Sequence, residues 1–191
     1  LVQMVRHPRR PVHVNSFGAR HVAEAKTSLA FVHDPRFASF FTSEERDLID
    51  RMVPWTVKLE RGLSVTWEGA SVDLRTLLRA RKSELVVKQQ YDIRGDGVTV
   101  GRSSDEALWN ANVEANWNTG AVVQRYVPPA QYPVVLGDSR CEPVNMNVSL
   151  DSFVFNGGLT GLGAKASVHD KVNVFQGGSK LSVIVTGGGP L

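Results

Sequence analysis

Residues 85 to 101 read LVVKQQYDIRGDGVTVG and set the fold of the chain. The runs Leu85-Val86-Val87 and Val98-Thr99-Val100 are short and rich in β-branched residues, which favours strands. Between them, Gly95 and Gly97 supply a glycine turn of the kind that joins two antiparallel strands. The stretch therefore predicts a β-hairpin with Lys88 at the end of its first strand.

A helix and a further strand follow the hairpin. Ser103-Ser104-Asp105-Glu106 matches a capping box, in which a hydroxyl and a carboxylate satisfy free amide groups at a helix start. The apolar run from Ala121 to Val127 then predicts a strand, closed by Pro128-Pro129. Strand, turn, strand, helix and strand form one compact unit, so we predict an α+β fold with an antiparallel or mixed sheet and flanking helices.

The residues before the hairpin read mostly as helix. A capping box at Thr42-Ser43-Glu44-Glu45 marks one helix start, and two short extended segments follow at 55–59 and 63–67. An earlier helix, ending before Pro35, is predicted from apolar residues at helical spacing: Val22, Ala25, Leu29 and Val32. We expect residues 1–82 to be a helical lead-in segment that packs on a core formed by residues 83–191.

The last part of the chain is rich in glycine. Nine of the seventeen glycines fall between Gly157 and Gly189, which predicts tight turns or loops there. Two strands are predicted in this region, over Met146–Phe155 and Leu181–Thr186.

Composition narrows the class of protein. With 42% hydrophobic and 21% charged residues, the 191-residue chain suits one globular unit, and its net charge of +3 is too weak and too scattered to indicate nucleic-acid binding. Cys141 is the single cysteine, and the histidines lack metal-ligand spacing, so we predict no disulfide and no protein-borne transition metal. No membrane-spanning stretch and no leader are recognisable, and the expected location is the cytoplasm.

The hairpin is also the first candidate for chemistry. A lysine at the end of an apolar strand, followed by a glycine turn, puts a cation beside backbone amides that can approach a phosphate closely. Lys88, Gly95 and Gly97 are the candidate residues. The alternative is that the glycines only shape the turn and that Lys88 is a solvated strand end.

The order of these features resembles the nucleotide-binding subdomain of ATP-grasp enzymes. Lys88, Gly95-x-Gly97-Val98 and Gly101 are followed by a capped helix and then by Val123-Gln124-Arg125-Tyr126-Val127. Upstream, the chain is similar to bacterial circularly permuted ATP-grasp proteins of the glutathionylspermidine synthetase kind, in these segments: Asn15-Ser16-Phe17-Gly18, Ala25-Lys26, Asp34-Pro35-Arg36-Phe37, Phe41-Thr42-x-Glu44-Glu45-Arg46 and Val53-Pro54-Trp55-Thr56.

The resemblance implies a role for each matching residue. Lys26 and Lys88 would reach the phosphates of ATP, and the turn with Gly95 and Gly97 would close over them. The adenine would lie against the end of the strand at Gln124, Tyr126 and Val127. Lys165 and Asn173 would return to the phosphate and substrate side as catalytic residues.

The chain departs from the family pattern at four of these places. The family usually has proline after the strand lysine, a glycine in the turn, an acidic residue after the glutamine and an arginine near the C-terminus, where this chain has Gln89, Arg94, Arg125 and Lys165. The family's magnesium ligands precede the region seen here. Mg²⁺ is therefore expected to be held mostly from outside this chain, by an N-terminal half or a partner chain.

Three functions follow as expectations. The first is the ATP-binding part of a ligase that joins a small-molecule or peptide carboxylate to an amine or a thiol through an acyl phosphate. The second is a catalytically inactive binding or interaction module on the same architecture. The third and weakest is nonspecific nucleic-acid binding through Arg6, Arg9 and Arg10.

Overall fold

A computed structural model describes residues 17–92, 94–135, 137 and 142–184, and shows a mixed α+β fold with antiparallel sheets and flanking helices. The α-helices are α1 (Phe17–Glu24), α2 (Thr27–Phe31), α3 (Ser43–Met52), α4 (Leu74–Ala80) and α5 (Glu106–Asn116). The strands are β1 (Thr56–Lys58), β2 (Ser64–Trp67), β3 (Ala70–Asp73), β4 (Leu85–Lys88), β5 (Val98–Val100), β6 (Val122–Arg125), β7 (Ala130–Val134), β8 (Val144–Phe155), β9 (Gly158–Ser167) and β10 (Ser179–Leu181). Short 3₁₀ helices span Pro35–Phe40, Lys82–Glu84, Gly101–Ser103 and Val174–Gln176.

The first sheet has the strand order β1-β6-β4-β5, with antiparallel neighbours throughout. The predicted hairpin is its β4-β5 pair, and the predicted return strand is β6, so strand, turn, strand, helix and strand are confirmed as one unit. Its register sets Val86 opposite both Gln124 of β6 and Val100 of β5.

One face of this sheet supplies the main core. Leu85, Val87 and Val123 are fully buried there. They pack with apolar residues of α4 and α5, and the indole Nε1–H of Trp109 donates to the Leu78 carbonyl at 3.2 Å. Burial of several large side chains against one sheet face is the main source of stability for such a layer.

The second sheet has the order β10-β9-β8-β7, again antiparallel. Neither β7 nor β9 was predicted from the sequence. β9 was missed because its glycines predict loops. Gly163 in β9 has a packing reason: the Phe153 ring of β8 lies over it, and a Cβ added to Gly163 would meet that ring at 3.3 Å. Small residues on one strand thus accommodate a large ring on its neighbour.

The helices predicted before residue 53 are present, but the first of them is divided into two helices. Thr42 accepts from the Glu45 amide at 3.2 Å and the Glu45 carboxylate accepts from the Thr42 amide at 2.9 Å, which confirms the capping box. The single helix predicted up to Pro35 is instead α1 and α2. They separate at Ala25-Lys26, where the Lys26 amide donates to the Gln90 carbonyl at 3.0 Å. A tertiary hydrogen bond here replaces a helical one.

The capping box predicted at Ser103–Glu106 is wrong. The chain leaves β5 through the 3₁₀ turn Gly101–Ser103, so the helix begins later and Asp105 is its N-cap. The Asp105 carboxylate accepts from the Leu108 amide at 2.7 Å. Aspartate serves this role as well as serine does, because its side-chain oxygen reaches the same free amides.

Several sequence features lie outside the described residues. These are the basic group Arg6, Arg9 and Arg10, the start of the Asn15-Ser16-Phe17-Gly18 segment, Cys141 and the end of the strand predicted over Leu181–Thr186. The described part of that prediction is wrong beyond its first residue, because β10 spans Ser179–Leu181 and residues 182–184 are not in a strand. The division at residue 82 stays a prediction, and β1 of the first segment pairs with β6 of the second. In the part of the chain that is described, no helix combines the length and apolar character needed to cross a membrane.

Candidate functional site

Lys88, Gln124 and Thr56 lie on one face of the first sheet, opposite the face that packs on α4 and α5. The register pairs Thr56 with Gln124 and Gln124 with Val86, and Lys88 is two residues beyond Val86 on β4. Residues two apart on a strand share a face, so these three polar side chains project to the same side. We call this side of the sheet the lysine face.

A chain of hydrogen bonds fixes the polar side chains of the lysine face. Lys88 Nζ donates to Gln124 Oε1 at 2.6 Å, Gln124 Nε2 donates to Thr56 Oγ1 at 2.8 Å, and Thr56 Oγ1 donates to the Pro54 carbonyl at 2.7 Å. Gln124 and Thr56 are buried, so the amide of Gln124 has both ends satisfied away from water. The Lys88 ammonium group is therefore held in one position.

Lys26 lies near enough to Lys88 for its charge to act on the Lys88 ammonium group, although 62 residues separate the two in sequence. Its Nζ donates to the Asp92 carbonyl at 3.4 Å, and its backbone amide is tied to Gln90. Burial of Lys88 lowers the pKa of its ammonium group, and the positive charge of Lys26 lowers that pKa further. Within the described residues, neither ammonium group has a carboxylate oxygen within 4.0 Å.

The glycine turn closes the same end of β4. The Gln89 amide donates to the Gly97 carbonyl at 2.9 Å, which continues the hairpin by one bond. Gly97 is buried against Gln89 and Asp92: an added Cβ would lie 2.8 Å from Gln89 Oε1 and 3.0 Å from Asp92 Cβ. The position admits glycine because the neighbouring chain comes so close.

The turn is braced by the segment that carries Asn173. Gly95 faces Asn173 and Gln176, and Gln176 Nε2 donates to Asp96 Oδ1 at 2.7 Å. The Arg94 guanidinium lies 4.7 Å from the centre of the Phe175 ring, a cation–π distance. Asn173 itself caps the 3₁₀ helix, since its Oδ1 accepts from the Phe175 amide at 2.8 Å. Two predicted site segments, distant in sequence, are thus in contact.

The end of β6 is joined to the C-terminal segment through Asp170. The Tyr126 hydroxyl donates to Asp170 Oδ1 at 3.2 Å, and Ser103 Oγ donates to Asp170 Oδ2. Burial, with the Asp170 charge beside it, raises the pKa of Tyr126. Val127, the last of the adenine candidates, is exposed.

Lys165 lies in the second sheet. Its Nζ is 2.6 Å from Asp151 Oδ2, an ion pair between the adjacent strands β9 and β8. Both side chains are about one-third exposed, which screens the attraction. The ion pair engages the ammonium group that the resemblance assigns to catalysis.

The structure therefore brings some of the predicted site residues together and leaves others, such as Lys165, elsewhere. Lys88 and Gln124 are in direct contact, with Lys26 near Lys88, and Gly95 contacts Asn173. Sequence reasoning missed Thr56, Asp170 and Gln176, which support these groups. Each is an ordinary polar residue whose partner lies between 44 and 80 positions away, so no local pattern could identify it.

Two ammonium groups without carboxylate partners, next to a glycine turn, can bind an anion with several negative oxygens. Among the residues that the structure describes, no three His, Cys, Asp or Glu side chains are grouped so that they could hold a metal ion. Comparison with known proteins found no matching family model, no matching curated protein and no matching solved structure.

Proposed function

We propose that the chain binds the phosphates of ATP on the lysine face and is the ATP-binding part of an ATP-grasp ligase. The observation that carries the proposal is the pair Lys26 and Lys88, two ammonium groups brought together without a neutralising carboxylate in the described part of the chain. Like charges that are placed together and partly buried cost stability. An incoming polyphosphate removes that cost, because it supplies the missing negative charge.

The surrounding contacts support a fixed site for such an anion. Gln124 and Thr56 hold Lys88 in place before the ligand arrives, so little side-chain freedom is lost on binding. The turn at Gly95 lies at the same end of β4 and has backbone amides that can approach phosphate oxygens. We infer that the adenine lies toward the end of β6, near Tyr126 and Val127.

In the proposed reaction, a small-molecule or peptide carboxylate takes the terminal phosphoryl group of ATP and ADP is released, and an amine or thiol then displaces phosphate from the acyl phosphate. The role of this chain is to bind the triphosphate, orient it and stabilise negative charge as the terminal phosphoryl group leaves. Mg²⁺ supplies further charge neutralisation in ATP-grasp enzymes. The carboxylates of the described residues do not form a cluster that fits this ion, so no step is assigned to Mg²⁺ here.

A binding module without turnover is the second candidate, and the contacts of Lys165 favour it. Lys165 stands where the resemblance expects a phosphate-binding arginine, but it forms an ion pair with Asp151. Lysine also lacks the two-pronged geometry with which arginine binds phosphate.

The experiment that tests the proposal is calorimetric titration of the chain with ATP, with and without Mg²⁺. We expect binding that is weakened by Lys88→Ala and by Lys26→Ala. The matched control is Lys58→Ala, because Lys58 is on the lysine face but pairs with Glu60 at 3.5 Å. Absence of ATP binding by the folded wild-type chain would contradict the proposal.

A second assay separates the two candidates. Release of phosphate from ATP in the presence of carboxylate and amine mixtures supports the ligase. Absence of phosphate release by this chain alone is expected of both candidates, because the ligase would hold Mg²⁺ mostly from outside this chain. Binding of ATP that Mg²⁺ does not change supports the binding module.

A further inference from the structure

The hairpin of β8 and β9 extends beyond the rest of the second sheet. β7 pairs with β8 only over Val144–Val148, and β10 pairs with β9 only over Ala164–Ala166. From residue 149 to residue 163 the two strands pair with each other, and their outer edges have no strand partner among the described residues. We call residues 149–163 the arm.

The arm exposes large apolar side chains on both of its faces. Leu150 and Val154 are each 65% exposed, and the register puts them on one face with Leu159 and Leu162. Phe153 and Phe155, 56% and 61% exposed, are on the other. A two-stranded hairpin is only marginally stable alone in water, and unpaired strand edges are ready to bind another strand. The arm therefore has the character of an interface.

We propose that the arm pairs with the arm of a second copy of this chain, so that the protein is a twofold symmetric dimer. The free edge of β8, residues 149–155, can pair antiparallel with the same edge of the second copy, centred near Ser152. This pairing is self-complementary, as a twofold interface requires. It continues the second sheet across the two copies and satisfies the open backbone groups.

The charge of the arm favours a second copy of the chain as its partner. Asp151 is the one charged residue of the arm, and Lys165, at the base of the arm on β9, neutralises it at 2.6 Å. The arm thus has no net charge to attract an acidic or a basic partner, and two copies do not repel each other.

The register of this pairing also brings apolar side chains together. Centred near Ser152, it sets Leu150 of one copy opposite Val154 of the other, on one face of the joined sheet. The six exposed apolar residues of each arm present roughly 600 Å² over its two faces, at the upper end of what monomers expose.

The test is the mass of the chain in solution, measured by light scattering from about 1 to about 100 µM. We expect twice the monomer mass at the upper concentrations. The double variant Leu150→Ser, Val154→Ser should be monomeric, with dissociation favoured at least about tenfold. Its matched control is Leu48→Ser, Val22→Ser, which removes an exposed leucine and an exposed valine elsewhere.

A wild-type monomer throughout this range overturns the proposal, and so does a dimer that the arm variant leaves intact. Circular dichroism establishes whether the arm variant is folded. If it is not, amide hydrogen exchange of the wild-type chain decides: protection of residues 149–155 that rises with protein concentration supports the proposal, and protection independent of concentration overturns it.

Discussion

Gln124 offers the sharpest test of how the lysine face is built. Its side chain is buried and joins Lys88 to Thr56 through hydrogen bonds of 2.6 and 2.8 Å. Gln124→Leu has a similar volume and removes both bonds. It leaves the Lys88 ammonium group without its acceptor, while Thr56 keeps its bond to the Pro54 carbonyl.

The size of the effect follows from these contacts. A hydrogen bond to a charged group contributes about 1.5 to 3 kcal/mol and a neutral one about 1 kcal/mol. Lys88 is half-buried, so water replaces part of the first bond. We therefore expect Gln124→Leu to lower the free energy of unfolding by about 2 kcal/mol.

Urea unfolding at neutral pH measures this loss. Gln124→Glu is the matched control, because it keeps an acceptor for Lys88 and places a carboxylate against its ammonium group. It should be destabilised less than Gln124→Leu, and it should bind ATP poorly because the anion site is already neutralised. A Gln124→Leu variant within about 0.5 kcal/mol of wild type would refute the described hydrogen-bond chain.

Three further predictions concern stability. Because burial lowers the pKa of Lys88, the unfolded chain binds more protons than the folded chain between that lowered pKa and the usual value of 10.5, so stability should rise with pH in this window. Urea unfolding of wild type and Lys88→Met across this range should show the rise only in wild type, and equal pH profiles would contradict it. Gly101→Ala should cost more than about 3 kcal/mol, since the new Cβ would lie 1.9 Å from the Lys82 carbonyl oxygen, whereas Gly161→Ala meets an ordinary 3.5 Å contact and should be nearly neutral in thermal unfolding. Asp105→Ala removes the α5 cap and should cost about 1 kcal/mol, with Asp105→Ser restoring most of it; an unchanged melting temperature for the alanine variant would argue against Asp105 as the cap.

Local patterns in the sequence predict the first sheet well. Its hairpin has β-branched runs on either side of a glycine turn, and each signal depends on neighbouring residues. The capping box at Thr42 is local in the same way. The actual cap of α5 at Asp105 was missed because the preceding 3₁₀ turn depends on Gly101 packing against Lys82, 19 positions away.

The second sheet was predicted less completely, because its strands depend on long-range pairing. β9 contains glycines that disfavour a strand in isolation, and the reason for one of them, Gly163, is the Phe153 ring on β8. Similarly, nothing next to Lys165 in sequence indicates its ion pair with Asp151. The expectation that Lys26 and Lys88 act at one site depends on the family resemblance. No local pattern could link them, because 62 residues separate them in sequence.

The most direct test of the proposed phosphate site compares ligands that differ in phosphate alone. ATP and adenosine would be titrated into wild type and Lys88→Ala by calorimetry, with Lys58→Ala as control. The proposed site predicts that Lys88→Ala weakens ATP binding about 10- to 100-fold, the equivalent of one charged hydrogen bond, and leaves adenosine binding unchanged. Equal losses for ATP and adenosine, or ATP binding untouched by Lys88→Ala, would contradict the assignment of Lys88 to the phosphates.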